Sequence, residues 1–142
     1  MPFTTPTGES RATRSGQRIV LTTFGSLGDL YPYLAIALGL RARGHDAVIA
    51  TGECYRGKIE SLGLGFRPVR PDCDWVSDPD VMRRMSHPRW GLIRVLRELA
   101  LPTLRESYED TRAALEDADL LVSNQAAFAG RLAAERHGIP WV

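Results

Sequence analysis

Between Arg18 and Val69 the chain alternates short apolar runs with helical ones, and no other feature constrains its fold as tightly. The stretch "RIVLTT" (18–23) is a nearly continuous β-branched and apolar run, the pattern of a parallel strand buried on both faces. Leu30, Leu34, Ala37, Leu38 and Ala42 then recur at helical spacing as far as Arg43, and Gly44 follows as a C-cap. "DAVIAT" (46–51) reads as a second strand, "YRGKIESLG" (55–63) as a short helix and "FRPV" (66–69) as a third strand. A βαβαβ order implies an α/β fold, a Rossmann-like doubly wound parallel sheet with right-handed crossovers.

Beyond Val69 the pattern loosens. Pro71, Pro79 and Pro88 punctuate an irregular stretch, and "WGLIRVLRELALPTLRESYEDTRAALEDA" (90–118) is a long helical pattern that Pro102 must kink or divide. "DLLVSN" (119–124) reads as a fourth strand, "AAFAGRLAAERHG" (126–138) as a helix capped by Gly138, and "IPWV" (139–142) as the opening of a fifth strand. Residues 1–16, rich in Thr, Ser, Gly and Pro, read as a disordered tail; residues 17–142 form one domain. A doubly wound sheet that stops in its fifth strand leaves a layer unfinished, so the domain reads as the front half of a longer protein, with a sheet edge open to self-association.

At 44% hydrophobic residues the 142-residue chain can bury a core without disulfides or metals. Its net charge of +1 supplies no basic field, which argues against a nucleic-acid partner. Cys54 and Cys73 belong to no C-x-x-C pair and read as reduced thiols, with no metal site implied. No stretch reaches the roughly 20 apolar residues of a membrane span, and the N-terminus has no apolar secretion segment, so a cytoplasmic setting is expected. Seventeen arginines against one lysine suggest the coding bias of a GC-rich bacterium.

In an open parallel sheet, ligands bind beyond the carboxyl ends of the strands where strand order reverses. For an order of 3-2-1-4-5 that place lies between strands one and four. It brings the loop in "FGSLGDLYP" (24–32) beside "SNQAAF" (123–128). Gly25, Ser26, Leu27 and Gly28, with the N–H groups that open the first helix, are candidates to bind a phosphate or sugar, together with Asn124 and Gln125. The loop is neither a P-loop nor G-x-G-x-x-G, because no Gly-Lys-Ser/Thr follows and Leu27 stands where a second glycine belongs. Asp29 has two readings: an N-cap of the helix, or a general base for an acceptor hydroxyl. A helix N-terminus opposes the second by favouring the charged carboxylate.

Residues 81–105 carry Arg83, Arg84, Arg89, Arg94, Arg97 and Arg105 against Glu98, interleaved with Trp90, Leu92, Ile93, Leu96 and Leu99. A core-facing helix with a solvated arginine face is the preferred reading; an acceptor-binding lobe and peripheral contact with anionic lipid are the others. His45, His87 and His137 have no partners in sequence that suggest catalysis or a metal.

The stretch from Thr23 to Thr51, with its G-S-x-G-D loop, a proline three residues after the Asp and "ALGLRARGH", resembles the opening of the family 28 and sterol-type glycosyltransferases, relatives of the UDP-glycosyltransferases. "IESLGLGFRPV" and "DADLLVSNQAAFAGRLAAERHGIPWV" are similar to that family's third strand and to its fourth strand and following helix. The resemblance spans about Arg18 to Val142 and is slight between Pro71 and Arg112. It implies the N-terminal, acceptor-side half of a two-domain GT-B fold, whose missing C-terminal domain holds most of the nucleotide-sugar site. It also implies inverting transfer of a hexose to a hydroxyl of a lipid, sterol or natural product, with Asp29 as catalytic base and no cofactor or metal beyond the nucleotide-sugar co-substrate. Relatives that use His as base orient it with an Asp after strand four; here Asn124 stands in that region and is expected to donate a hydrogen bond to Asp29. A fragment of this kind is expected to be inactive alone. The alternatives are a non-catalytic module that pairs with a separate nucleotide-binding subunit, and a dinucleotide-binding domain.

Overall fold

Burial along β1 (Arg18–Thr22) sets up two layers, because Ile19 and Leu21 face one side of the sheet and Val20 the other. The computed structural model describes residues 16–72 and 74–142. The expected tail therefore lies outside the described residues, apart from Gly16. In chain order β1 is followed by α1 (Leu27–Ala42), β2 (Asp46–Thr51), α2 (Arg56–Ser61), β3 (Gly65–Pro68), α3 (Pro79–Met85), α4 (Gly91–Arg94), α5 (Leu104–Ala114), β4 (Leu120–Ser123) and α6 (Phe128–His137). The strands run parallel in the order β3-β2-β1-β4, with Ile19 of β1 opposite Ala47 of β2 and Leu120 of β4. "IPWV" lies next to β4, where Trp141 bridges Leu121 and Ser123 N–H donates to Val142 O at 2.7 Å. This is the expected 3-2-1-4-5 arrangement.

One core packs α1 and α2 on the sheet through Leu30, Leu34, Ala37 and Ile59 against Ile19, Leu21, Ile49 and Phe66. The other packs α5 and α6 through Ala114, Leu115, Ala133 and Ala134 against Val20, Val48, Ala50 and Leu121. Small residues bring α6 close: a Cβ on Gly130 would sit 2.6 Å from Ser123 Oγ and 3.1 Å from Thr22 Cγ2.

Three expectations need correction. First, α1 begins at Leu27 with Ser26 as N-cap, so Asp29 is the third residue of the helix and not its cap. Burial in this helix begins at Leu30: Leu27, although apolar and at helical spacing, is exposed, and Gly28 and Asp29 between them carry no apolar signal. Second, the helix divided by Pro102 is more broken than expected: α4 passes into a π turn over Val95–Ala100, closed by Leu101 N–H to Leu96 O at 2.8 Å, before α5 starts at Leu104. Its apolar side faces the core only in part: Trp90, Leu92 and Ile93 are exposed, whereas Leu96 and Leu99 are half-buried and Ala100 is buried. Third, Cys54 is disulfide-bonded rather than a reduced thiol. Adjacent parallel strands bring the turns after β2 and β3 together, as Glu53 N–H donating to Asp72 Oδ1 at 3.3 Å shows, and sequence spacing hides that proximity. Cys73 lies outside the described residues.

Candidate active site

The carboxyl ends of β1, β2 and β3, with the start of α6, open into an inner crevice whose lining includes Thr22, Thr51 and Thr111. It leaves about 30 Å³ for a water-sized sphere, room for one or two waters. An outer groove shares Phe24, Gly25, Trp75 and Ala126 with it, adds Ser26, Asp29, Met82, Met85 and Val95, and measures about 250 Å³. As it stands, only the groove has room for a ring. The rings of Phe24 and Trp75, 6.2 Å apart and tilted by 41°, line both spaces.

The glycine turn places the carboxylate. Gly25 has φ +134°, a conformation that disfavours a side chain, and an added Cβ would meet Asp29 Oδ2 at 2.3 Å. Asp29 Oδ2 accepts from Ser26 N–H at 2.8 Å and from Ser26 Oγ at 3.2 Å, the reciprocal contact of a capping box. Among the described residues no hydrogen bond engages Oδ1, and Asp29 is exposed on the groove. The carboxylate thus has one oxygen committed to the helix and one available.

Asn124 does not reach Asp29. Its Nδ2 donates to Thr23 Oγ1 at 3.3 Å and its Oδ1 accepts from Ala126 N–H at 2.7 Å, while Thr23 Oγ1 donates to the Asp29 main-chain oxygen at 3.4 Å. The expected direct bond is replaced by a link through Thr23, because β1 and β4 end level with each other, Thr22 opposite Ser123, and the side chain that follows each strand meets its counterpart. Gly25, Ser26 and Asp29 line the groove together; Leu27, Gly28, Asn124 and Gln125 do not.

Trp75, Met82, Met85 and Val95 were not singled out from sequence. Trp75, Met82 and Met85 belong to the stretch punctuated by Pro71, Pro79 and Pro88, where apolar residues are the signal in sequence, and Val95 to the helical pattern that follows it. Tyr55, from the turn after β2, was also missed; its hydroxyl donates to Gly25 O at 3.1 Å. Burial, with the Asp29 charge as a second cause, pushes the Tyr55 phenol above its ordinary range, and Tyr33 is raised for the same two reasons.

Residues 19–142 match the Glycosyltransferase family 28 N-terminal domain. The chain belongs to this family. This family 28 domain is 39% identical over 93 residues to the O-mycaminosyltylonolide 6-deoxyallosyltransferase of Streptomyces fradiae, a match covering 65% of the chain and 21% of that relative. It is 30% identical over 135 residues to the sterol 3-beta-glucosyltransferase of Komagataella phaffii, covering 95% of the chain and 11% of the relative. Among solved structures, SsfS6, a glycosyltransferase of Streptomyces sp. SF2575, aligns with a TM-score of 0.66 at 28% identity over 88% of the chain and 38% of SsfS6. The calicheamicin glycosyltransferase CalG4 shares the fold with a TM-score of 0.67 at 22% identity, over 89% of the chain and 32% of CalG4. The chain therefore spans about a fifth or less of these two sequence relatives and about a third of the two solved enzymes.

Proposed function

We propose that this family 28 domain is the acceptor-binding side of an inverting glycosyltransferase, with Asp29 as its general base. The observation that carries the reading is the divided carboxylate: Oδ2 is held by Ser26, while Oδ1 is free of described partners on a groove walled by Phe24, Trp75, Met82 and Met85. Aromatic and thioether side chains suit an apolar, ring-bearing acceptor. Two of the relatives are named for a sterol and for O-mycaminosyltylonolide, which supports a lipid, sterol or natural-product acceptor.

In the proposed reaction the acceptor hydroxyl gives its proton to Asp29 as its oxygen attacks the anomeric carbon of a nucleotide hexose. The new carbon–oxygen bond forms opposite the breaking one, inverting the centre, and the nucleoside diphosphate leaves with the bonding electron pair. A facing nucleotide-sugar-binding domain supplies the donor, so this domain alone does not turn over. The test is Asp29→Asn in the active glycosyltransferase that carries the domain. Turnover falls by about a thousandfold or more while the fold persists, because Asn retains a side-chain oxygen for the Ser26 N–H. Near-normal turnover leaves Asp29 with its capping role alone and removes the reading.

A further inference from the structure

One peptide unit carries the hydrogen bonds on both sides of the Asp29 loop. Its carbonyl end, Gly25 O, accepts from the Tyr55 hydroxyl at 3.1 Å; its amide end, Ser26 N–H, donates to Asp29 Oδ2 at 2.8 Å. We propose that Tyr55 is a positioning residue for glycosyl transfer, its hydroxyl holding the Gly25–Ser26 peptide so that Ser26 N–H stays on Oδ2 and Oδ1 is left for the acceptor hydroxyl. The inference rests on the assignment of Asp29 as base.

Four features support it. Gly25 has no Cβ and a positive φ, so the peptide that follows it is weakly restrained by its own residue and needs an external hold. Tyr55 supplies that hold from a separate element. It is buried in the α1/α2 core with Ile59 and Phe66, and its own N–H donates to Gly52 O at 3.2 Å, so the hydroxyl is presented from a fixed base. Hydrogen bonds in series polarise one another: a donor on Gly25 O makes Ser26 N–H a better donor to the carboxylate. The nearby Asp29 charge adds to burial in keeping the phenol protonated, which preserves Tyr55 as a donor at any pH where a carboxylate base works.

The experiment is a double-mutant cycle of Tyr55→Phe and Asp29→Asn in the active enzyme, read in single-turnover and steady-state assays. Tyr55→Phe keeps the buried ring and is expected to lower kcat about three- to tenfold, with the KM values for donor and acceptor and the melting temperature nearly unchanged. In the Asp29→Asn background the same substitution costs nothing further, because the base it positions is absent. Replacement of Tyr55 by 3-fluorotyrosine, which keeps both shape and donor, restores kcat to the wild-type range. An unchanged kcat in Tyr55→Phe, an equal loss in both backgrounds, or failure of the fluorotyrosine variant to restore kcat overturns the proposal and leaves the base assignment standing. Near-normal turnover of Asp29→Asn overturns the base assignment instead.

Discussion

Asp29 closes the capping box of Ser26 and, in the proposed reaction, takes a proton through different oxygens, so the two roles do not compete for one lone pair. The sequence allowed either role but could not assign atoms, since that assignment depends on Ser26, not Asp29, being the helix cap. Gly25 is where the arrangement is most exposed to change. Gly25→Ala brings a Cβ against Oδ2 at a backbone angle that side chains rarely adopt. It is expected to destabilise the domain by about 1–3 kcal/mol in denaturant titration. Turnover of the active enzyme should fall at temperatures where the variant remains folded, because the carboxylate must move away from Gly25. A variant that loses stability and keeps its turnover would show that the exact seat of the carboxylate does not matter.

The close approach of α6 depends on Ala129, Gly130, Ala133 and Ala134, all buried. Gly130→Ala places a methyl group against Ser123 Oγ and against Cγ2 of Thr22, which lines the inner crevice. Overpacking of this kind costs about 1–3 kcal/mol, although a helical Gly→Ala change on an open surface would stabilise. A lowered melting temperature is therefore the expected result, and a raised one would mean that α6 can withdraw without loss. Elements such as β1, β2 and α6 were legible in the sequence because burial on the sheet forces an apolar period. The crossover was legible only in part, as a helical pattern divided at Pro102. Its π turn breaks the 3.6-residue period, Trp90, Leu92 and Ile93 are exposed, and the groove residues Trp75, Met82 and Met85 come together only once that segment has folded back over Phe24. Glycine and carboxylate of the candidate site were thus readable from a local motif, whereas its apolar wall required the tertiary path.

That path is tied down on the far side of the crevice, where the long connection leaving β3 meets α5. Arg70 Nε and Nη2 each donate to the Asp110 carboxylate at 2.8 Å, and Arg70 N–H adds a third bond at 3.1 Å. Arg70 lines the inner crevice, so the pair joins one wall of that space to the helix behind it. The side-chain bond from Arg70 holds the Asp110 carboxyl below the usual carboxylate range, its N–H assists, and partial burial opposes both. A carboxyl whose pKa is lowered by folding stabilises the fold above its unfolded value, near 4, and loses that contribution as pH falls through the lower folded value. Asp110→Asn is accordingly expected to destabilise the domain at pH 7 by about 1 kcal/mol, a modest amount because half of the Arg70 side chain is solvent-exposed. The deficit, read as the difference in urea midpoint between wild type and variant, should hold steady from pH 7 to pH 5 and then narrow as acid protonates Asp110 in the wild type. A deficit that keeps its full size in acid would assign the effect to the shape of the amide rather than to the charge pair that closes the crossover.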